Sequence, residues 1–208
     1  MPDINSLISF AIASIALLVI PGPAVLYIIN RSVSDGRTIG FAGVAGIELG
    51  TFMHVLAATA GLSAILATSP NAFNTVKYLG ALYLVFVGLR TLTRRPEAID
   101  SSASSMTKLQ AFRQGFIINT LNPKIALFFL SFLPQFIDQD KNKNALQALI
   151  LGIVFVTCGF ITDGIYAVTA SSLREVLAKG KTLPFVQRYI AGVVFIGLGI
   201  VAASAKIS

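Results

Sequence analysis

The chain has 208 residues, of which 55% are hydrophobic and only 12% are charged, and its mean hydropathy is +0.79. Soluble domains carry roughly a quarter charged residues, so this composition excludes a soluble globular protein and indicates an integral membrane protein. A single cysteine, Cys158, excludes an internal disulfide, and a single histidine argues against a zinc centre. We expect no metal site, no cofactor and no enzymatic activity.

Six apolar stretches are long enough to cross a bilayer, which takes about 20 residues. In chain order the predicted spans cover residues 4–29, 38–66, 73–91, 111–137, 145–172 and 183–205. No basic residue precedes the first stretch, which favours a retained span over a signal peptide. Because the spans leave no room for a soluble domain, we expect one transmembrane domain over residues 1–208.

Lysine and arginine are divided unequally between the two predicted sides of the membrane. The loops after spans one, three and five hold eleven of the sixteen, and the other side holds four. Basic residues favour the cytoplasmic side, so both termini are predicted to be periplasmic. The net charge of +7 then reflects topology and anionic lipid rather than nucleic acid. The cytoplasmic loop at about 94–110 separates two halves of three spans, about 1–93 and about 111–208.

The two halves share a proline motif in their first spans. The segment PGPAVLYII, which starts at Pro21, aligns with LNPKIALFF, which starts at Leu121, so that Pro23 matches Pro123. Because each half has three spans, an odd number, the second half is inserted upside down relative to the first. Paired Gly/Pro interruptions in corresponding spans of such inverted repeats mark transporter binding sites. We therefore predict an all-α membrane protein of six helices in two inverted three-helix repeats, with the first helix of each repeat broken at its proline.

A proline inside a helix has no N–H for the carbonyl four residues earlier, so the breaks would free the carbonyls of Val19 and Asn119. Proline also suits the first turn of a new half-helix, whose N–H groups would point into the membrane and favour an anion. The alternative is that both prolines are simple kinks. The candidate site residues at the breaks are Pro21, Gly22, Pro23, Asn119, Asn122, Pro123 and Lys124.

Three formal charges lie well inside predicted spans: Glu48, Lys124 and Asp163. Each costs about 2.5–3.5 kcal/mol unless it is paired or hydrated, which indicates a functional role. A structural salt bridge between Lys124 and either carboxylate is the alternative. His54 lies about 120° around the helix from Glu48 and is a candidate proton carrier. A hydrogen-bonded packing role for His54 is the other interpretation.

At these residues the chain resembles the lysine exporter and homoserine–threonine resistance (LysE/RhtB) family of bacterial amino acid exporters. The matching segments are PGP, GIELGTFMHVLAATAGLSAIL, KYLGALYLVFVGLRTL and, most specific, FRQGFIINTLNPKIALFFLSFLPQF. The resemblance covers most of the chain, and Asp163 falls where the family often has an acidic residue. It implies a six-helix exporter in the bacterial inner membrane, driven by the proton gradient or the membrane potential.

Residues and resemblance together predict export of amino acids or close derivatives by alternating access around a midplane site. The half-helix starts, helped by Lys124, would hold the substrate carboxylate, and Glu48 or Asp163 would take its ammonium or carry the coupling proton. The expected partners are an amino acid, membrane lipid and, as a candidate assembly, a second copy of the chain. An exporter of an inorganic cation or another small amine on the same fold is the alternative.

Overall fold

The computed structural model describes residues 2–68, 106–138 and 143–173, with the backbone alone for 62–68, together with seven single positions. These single positions are Tyr78, Leu82, Val85, Phe86, Leu89, Ile196 and Ile200. Within the described ranges the chain forms helices and no strand. Apart from the single positions, the predicted spans at 73–91 and 183–205 lie outside the described residues, as do positions 94–105 of the predicted loop.

Six α-helices are formed by the described ranges. They are α1 (Ile4–Leu18), α2 (Pro23–Ser34), α3 (Arg37–Thr68), α4 (Lys108–Thr120), α5 (Pro123–Phe132) and α6 (Asn144–Ser172), and a 3-10 turn, Leu133–Phe136, follows α5. Helices α3 and α6 are each long and apolar enough to cross a membrane. The pair α1 and α2 meets the same criterion with a bend of 60°, and α4 and α5 with a bend of 46°. In each pair the second helix begins at the predicted proline, Pro23 or Pro123.

Local capping explains where several helices begin and end. The carboxylate of Asp3 accepts the Ser6 backbone N–H at 2.7 Å and starts α1. Helix α4 starts with a capping box, in which Thr107 and Gln110 each bind the other's backbone N–H, at 3.3 and 2.9 Å. Between α2 and α3, Gly36 has a φ of +86°, a left-handed conformation that glycine adopts without strain.

Apolar side chains remain exposed along one face of α1, spaced three or four positions apart. These residues are Ile4, Ile8, Ile12, Ile15 and Val19. Helix α6 has a similar exposed set, Ile153, Phe160, Ile161 and Ile165. Such long apolar stripes are unfavourable in water and are the surface that a helix presents to lipid. The described helices therefore have the character of membrane spans.

A phenylalanine cluster joins α1 to the helices of the second half of the chain. The Phe128 ring of α5 stacks on Phe132 at 5.1 Å between centroids and lies 5.9 Å from Phe10 of α1. It also contacts Phe155 of α6, at 5.1 Å. Each such pair contributes about 0.5–1.5 kcal/mol beyond the area it buries. These contacts fix α5 between α1 and α6.

Glycines bring α3 and α4 into direct backbone contact. A Cβ added at Gly46 would overlap the Phe112 backbone, and one at Gly50 would lie 2.9 Å from the Thr120 amide nitrogen. Small residues at a membrane helix interface permit this close approach. The end of α4, where its break begins, is therefore held against the middle of α3.

Candidate functional site

A small cavity lies between α3 and α6, where the two helix breaks meet. It encloses about 20 Å³, which is room for about one water molecule. The lining residues are Leu18, Gly22, Ala24, Val25, Ile47, Glu48, Thr51, Asn119, Asn122, Lys124, Ile125 and Asp163. Six of the predicted site residues are among them. Pro21, Pro23, Pro123 and His54 lie outside this lining, with Pro21 buried and the other two prolines exposed.

The carboxylates of Glu48 and Asp163 are buried beside each other at this cavity. Each residue is 2% exposed, and the two side chains are close enough to interact electrostatically. Both Glu48 oxygens and Oδ1 of Asp163 lack a hydrogen-bond partner among the described residues. Two carboxylates buried side by side are costly while both are charged, so the pair is suited to accept a positively charged group or a proton.

Gly159 makes room for the Glu48 carboxylate on the surface of α6, one turn before Asp163. A Cβ at this position would lie 2.5 and 2.6 Å from the two Glu48 oxygens. Gly159 could not be predicted from the sequence, because its partner is on another helix, more than a hundred positions earlier in the chain. The glycine is what lets a carboxylate from α3 reach the backbone of α6.

The Lys124 side chain connects the two breaks. Its Nζ donates a hydrogen bond to the Ile20 carbonyl at 2.8 Å, and its stem passes Gly22, where a Cβ would lie 3.5 Å from Cδ. Carbonyls at the end of α1 carry partial negative charge, which favours a cation there. The ammonium also lies within electrostatic range of Asp163. The structure thus adds the Ile20 carbonyl to the partners that the sequence suggested for Lys124.

The carbonyls that the prolines free both have side-chain partners. Val19, four residues before Pro23, accepts a hydrogen bond from the Tyr166 hydroxyl at 2.6 Å. Asn119, four residues before Pro123, accepts one from Nε2 of His54 at 2.9 Å. The Asn119 carbonyl also accepts the Asn122 backbone N–H at 3.0 Å, so it has two donors, and His54 makes a hydrogen bond there. Tyr166 was missed, because nothing in the sequence distinguishes it from other tyrosines in apolar helices.

Two asparagines organise the second break. The Asn122 side chain caps α5 by accepting the Lys124 backbone N–H at 3.1 Å, and its Nδ2 donates to Oδ1 of Asn119 at 3.1 Å. Nδ2 of Asn119 donates to the Ile47 carbonyl at 2.9 Å and to the Thr51 hydroxyl at 2.7 Å. Both Asn119 amide protons are therefore used to bind α3. Thr51, which the sequence analysis did not single out, is one of its two partners.

Paired broken helices that meet at a buried, charged cavity are typical of membrane transporters. The chain belongs to the LysE type translocator family, whose model matches residues 15–206.

Individual relatives are similar over almost their whole length. The chain is 28% identical to an "uncharacterized membrane protein" of Pseudomonas aeruginosa, over 96% of this chain and 95% of that protein. It is 26% identical to the leucine efflux protein of Klebsiella pneumoniae, over 91% of each chain. It is 27% identical to the leucine efflux protein of Salmonella typhimurium, over 91% of this chain and 90% of that protein. No solved structure matches this chain. The family resemblance found in the sequence is confirmed.

Proposed function

We propose that this chain exports neutral aliphatic amino acids, leucine among them, across the bacterial inner membrane. The observation that carries the proposal is the pair of carboxylates, Glu48 and Asp163, buried beside each other where the two helix breaks meet. Membership of a translocator family and relatives named leucine efflux protein support both the class of activity and the class of substrate.

The proposed architecture is six helices in two inverted repeats, about 1–93 and about 111–208, and the packing of the described helices supports it. Helix α3 packs against α4, and α6, its counterpart in the other half, packs against α1. Helix α5 packs against α3, and α2 packs against α6, although the close packing of α2 on α3 has no equal between α5 and α6. Both half-helices, α2 and α5, also begin with a proline in the first turn. A two-fold relation between the halves would produce this reciprocal pairing.

The start of α2 is the proposed binding point for the substrate carboxylate. Gly22, the N-cap of α2, has no side chain that could bind the first N–H groups of this helix, whereas the Asn122 side chain caps α5. The free N–H groups of α2 and the nearby Lys124 ammonium both favour an anion. Glu48 and Asp163 would take the substrate ammonium or the coupling proton.

The apolar part of the lining suits an aliphatic side chain. Leu18, Ile47 and Ile125 face the cavity and would bury a leucine side chain away from water. The cavity has room for about one water molecule, so the site must widen to admit an amino acid. Substrate entry needs the two breaks to separate, which supports alternating access. We propose that the proton gradient or the membrane potential drives the cycle.

Efflux from peptide-loaded cells tests the proposed function. Bacteria with and without this protein are loaded with dipeptides, and the medium is analysed for all amino acids at once. We expect faster release of leucine and other neutral aliphatic amino acids, which collapses when an uncoupler is added, because the exporter needs an ion gradient.

The control is a strain in which membrane expression is verified and only the transporter differs. Unchanged release of every amino acid would contradict amino acid export and favour the inorganic-cation or small-amine alternative. Loaded metal ions and amines are therefore followed in the same cells. Selective release of lysine or arginine would leave export standing and refute the neutral substrate class.

A further inference from the structure

The two helix breaks are held by reciprocal hydrogen bonds between the halves of the chain. Tyr166 of α6 donates to the Val19 carbonyl in the first break, at 2.6 Å. His54 of α3 donates to the Asn119 carbonyl in the second break, at 2.9 Å, which requires the proton on Nε2. In the first break the second helix of the other half supplies the hydrogen atom that Pro23 cannot. In the second break His54 adds a donor to a carbonyl that also accepts the Asn122 backbone N–H at 3.0 Å.

We propose that His54 and Tyr166 are positioning residues that act as reciprocal latches: they hold the two breaks closed over the cavity, and their release lets the cavity open. The proposal deepens the export function above and rests on it for its role in transport. Neither side chain lines the cavity, so neither is proposed to touch the substrate.

The strength of a single hydrogen bond suits this role. A carbonyl without a partner is unfavourable in a membrane, so the Tyr166 latch stabilises the first break. The His54 latch adds a second hydrogen bond to the Asn119 carbonyl and so ties the second break to α3. One neutral hydrogen bond nevertheless changes an equilibrium only about fivefold, so a latch is weak enough to be released during each transport cycle. A stronger or permanent link between the breaks would prevent the site from opening.

Each latch shares a helix with one of the buried carboxylates. His54 follows Glu48 by six positions on α3, and Tyr166 follows Asp163 by three on α6. A helix that shifts when its carboxylate gains a proton or an ammonium therefore moves its latch donor as well. This arrangement would couple occupation of the site to release of the opposite break.

A cysteine-labelling experiment tests the latches without any substrate. Cys158, the one native cysteine, is replaced by serine, and the cavity-lining Ala24 is replaced by cysteine. The purified protein is then labelled with a maleimide.

Three variants test the two latches. Tyr166→Phe removes only the hydroxyl group, and His54→Leu removes the imidazole N–H donor. Each is expected to raise the labelling rate about fivefold, and His54→Gln, which keeps an N–H donor, is expected to restore most of the protection.

Tyr27→Phe is the matched control. The Tyr27 hydroxyl also joins the two halves, donating to the Ala111 carbonyl at 2.9 Å, but that carbonyl lies in the first turns of α4 and not at a break. Its loss should leave the labelling rate unchanged, although it removes a bond of the same kind. The proposal is overturned if Tyr166→Phe and His54→Leu label at the parent rate, or if Tyr27→Phe labels as fast as they do. Because no amino acid is present, a failure of leucine export in cells would not affect this result.

Discussion

Glu48→Gln and Asp163→Asn are each expected to abolish leucine efflux while the protein remains folded in the membrane. The amide keeps the shape of the side chain but removes the charge that would hold an ammonium and the group that would carry a proton. Glu48→Gln removes one of two like charges buried together and should unfold at the same temperature as the parent or higher. Asp163→Asn also removes a charge near the buried Lys124 ammonium, so a modest fall in its unfolding temperature is expected. The measurements are efflux from loaded cells and thermal unfolding of the purified protein in detergent.

Asp3→Asn provides the matched control, because it makes the same change of charge outside the cavity. Asp3 caps α1, and asparagine caps helices about as well, so efflux should persist. Normal efflux in both cavity variants would contradict the proposed roles of the carboxylates. Loss of the folded protein in both would contradict them equally, since it would make the pair a structural element.

Gly159→Ala is expected to reduce efflux severalfold with little change in stability, because the end of the flexible Glu48 side chain can move but then leaves the site. The added Cβ would lie 2.5 Å from Oε1 of Glu48, so the carboxylate must leave its place on α6 beside Asp163. Alanine is otherwise favoured over glycine within a helix by about 0.5–1 kcal/mol, so a loss of function would not come from the helix itself. Efflux is normalised to the amount of protein in the membrane.

Gly164→Ala tests whether the effect belongs to the Glu48 contact. Gly164 is on the same helix and is also buried, but a Cβ there would meet the Phe41 ring at 3.6 Å, an ordinary contact. Efflux in this variant should match the parent. Equal losses in both variants would show that α6 tolerates no alanine, and would remove the argument for a specific role of Gly159.

The helix breaks could be predicted from the sequence because proline acts locally. A missing N–H and a fixed φ decide where a helix ends and a new one begins, whatever surrounds it. The same reasoning identified the Val19 and Asn119 carbonyls as the two that lose their usual donor four residues later. It could not identify Tyr166 or confirm His54 as their donors, because these partners come from helices that only the folded chain brings close.

The ends of the first span differ from the prediction for a clear physical reason. Charged residues led the sequence analysis to end that span at position 29, but α2 continues to Ser34. Arg31 and Asp35 form a salt bridge at 2.9 Å, with side chains only 7% and 4% exposed. A pair at positions i and i+4 satisfies both charges on one helix face, so the helix need not stop at the first of them.

Contacts across the cavity were the least predictable part of the site. Lys124 and the two carboxylates could be singled out by the cost of charge in a membrane, without knowledge of their neighbours. The Ile20 carbonyl accepts a hydrogen bond from Lys124, and Gly159 leaves space for the Glu48 carboxylate. Neither residue carries a charge or another feature that would single it out in the sequence. Their roles depend on the close packing of two breaks from opposite halves of the chain.

Binding of leucine to the purified protein tests the central claim most directly, namely that the cavity holds both charged ends of an amino acid. Radiolabelled leucine is displaced by leucine, by 4-methylpentanoate, which lacks the ammonium, and by 3-methylbutan-1-amine, which lacks the carboxylate. We predict saturable leucine binding that only leucine displaces well, and that is lost in the Glu48→Gln/Asp163→Asn double variant. Equal displacement by 4-methylpentanoate, or undiminished leucine binding in the double variant, would contradict the account.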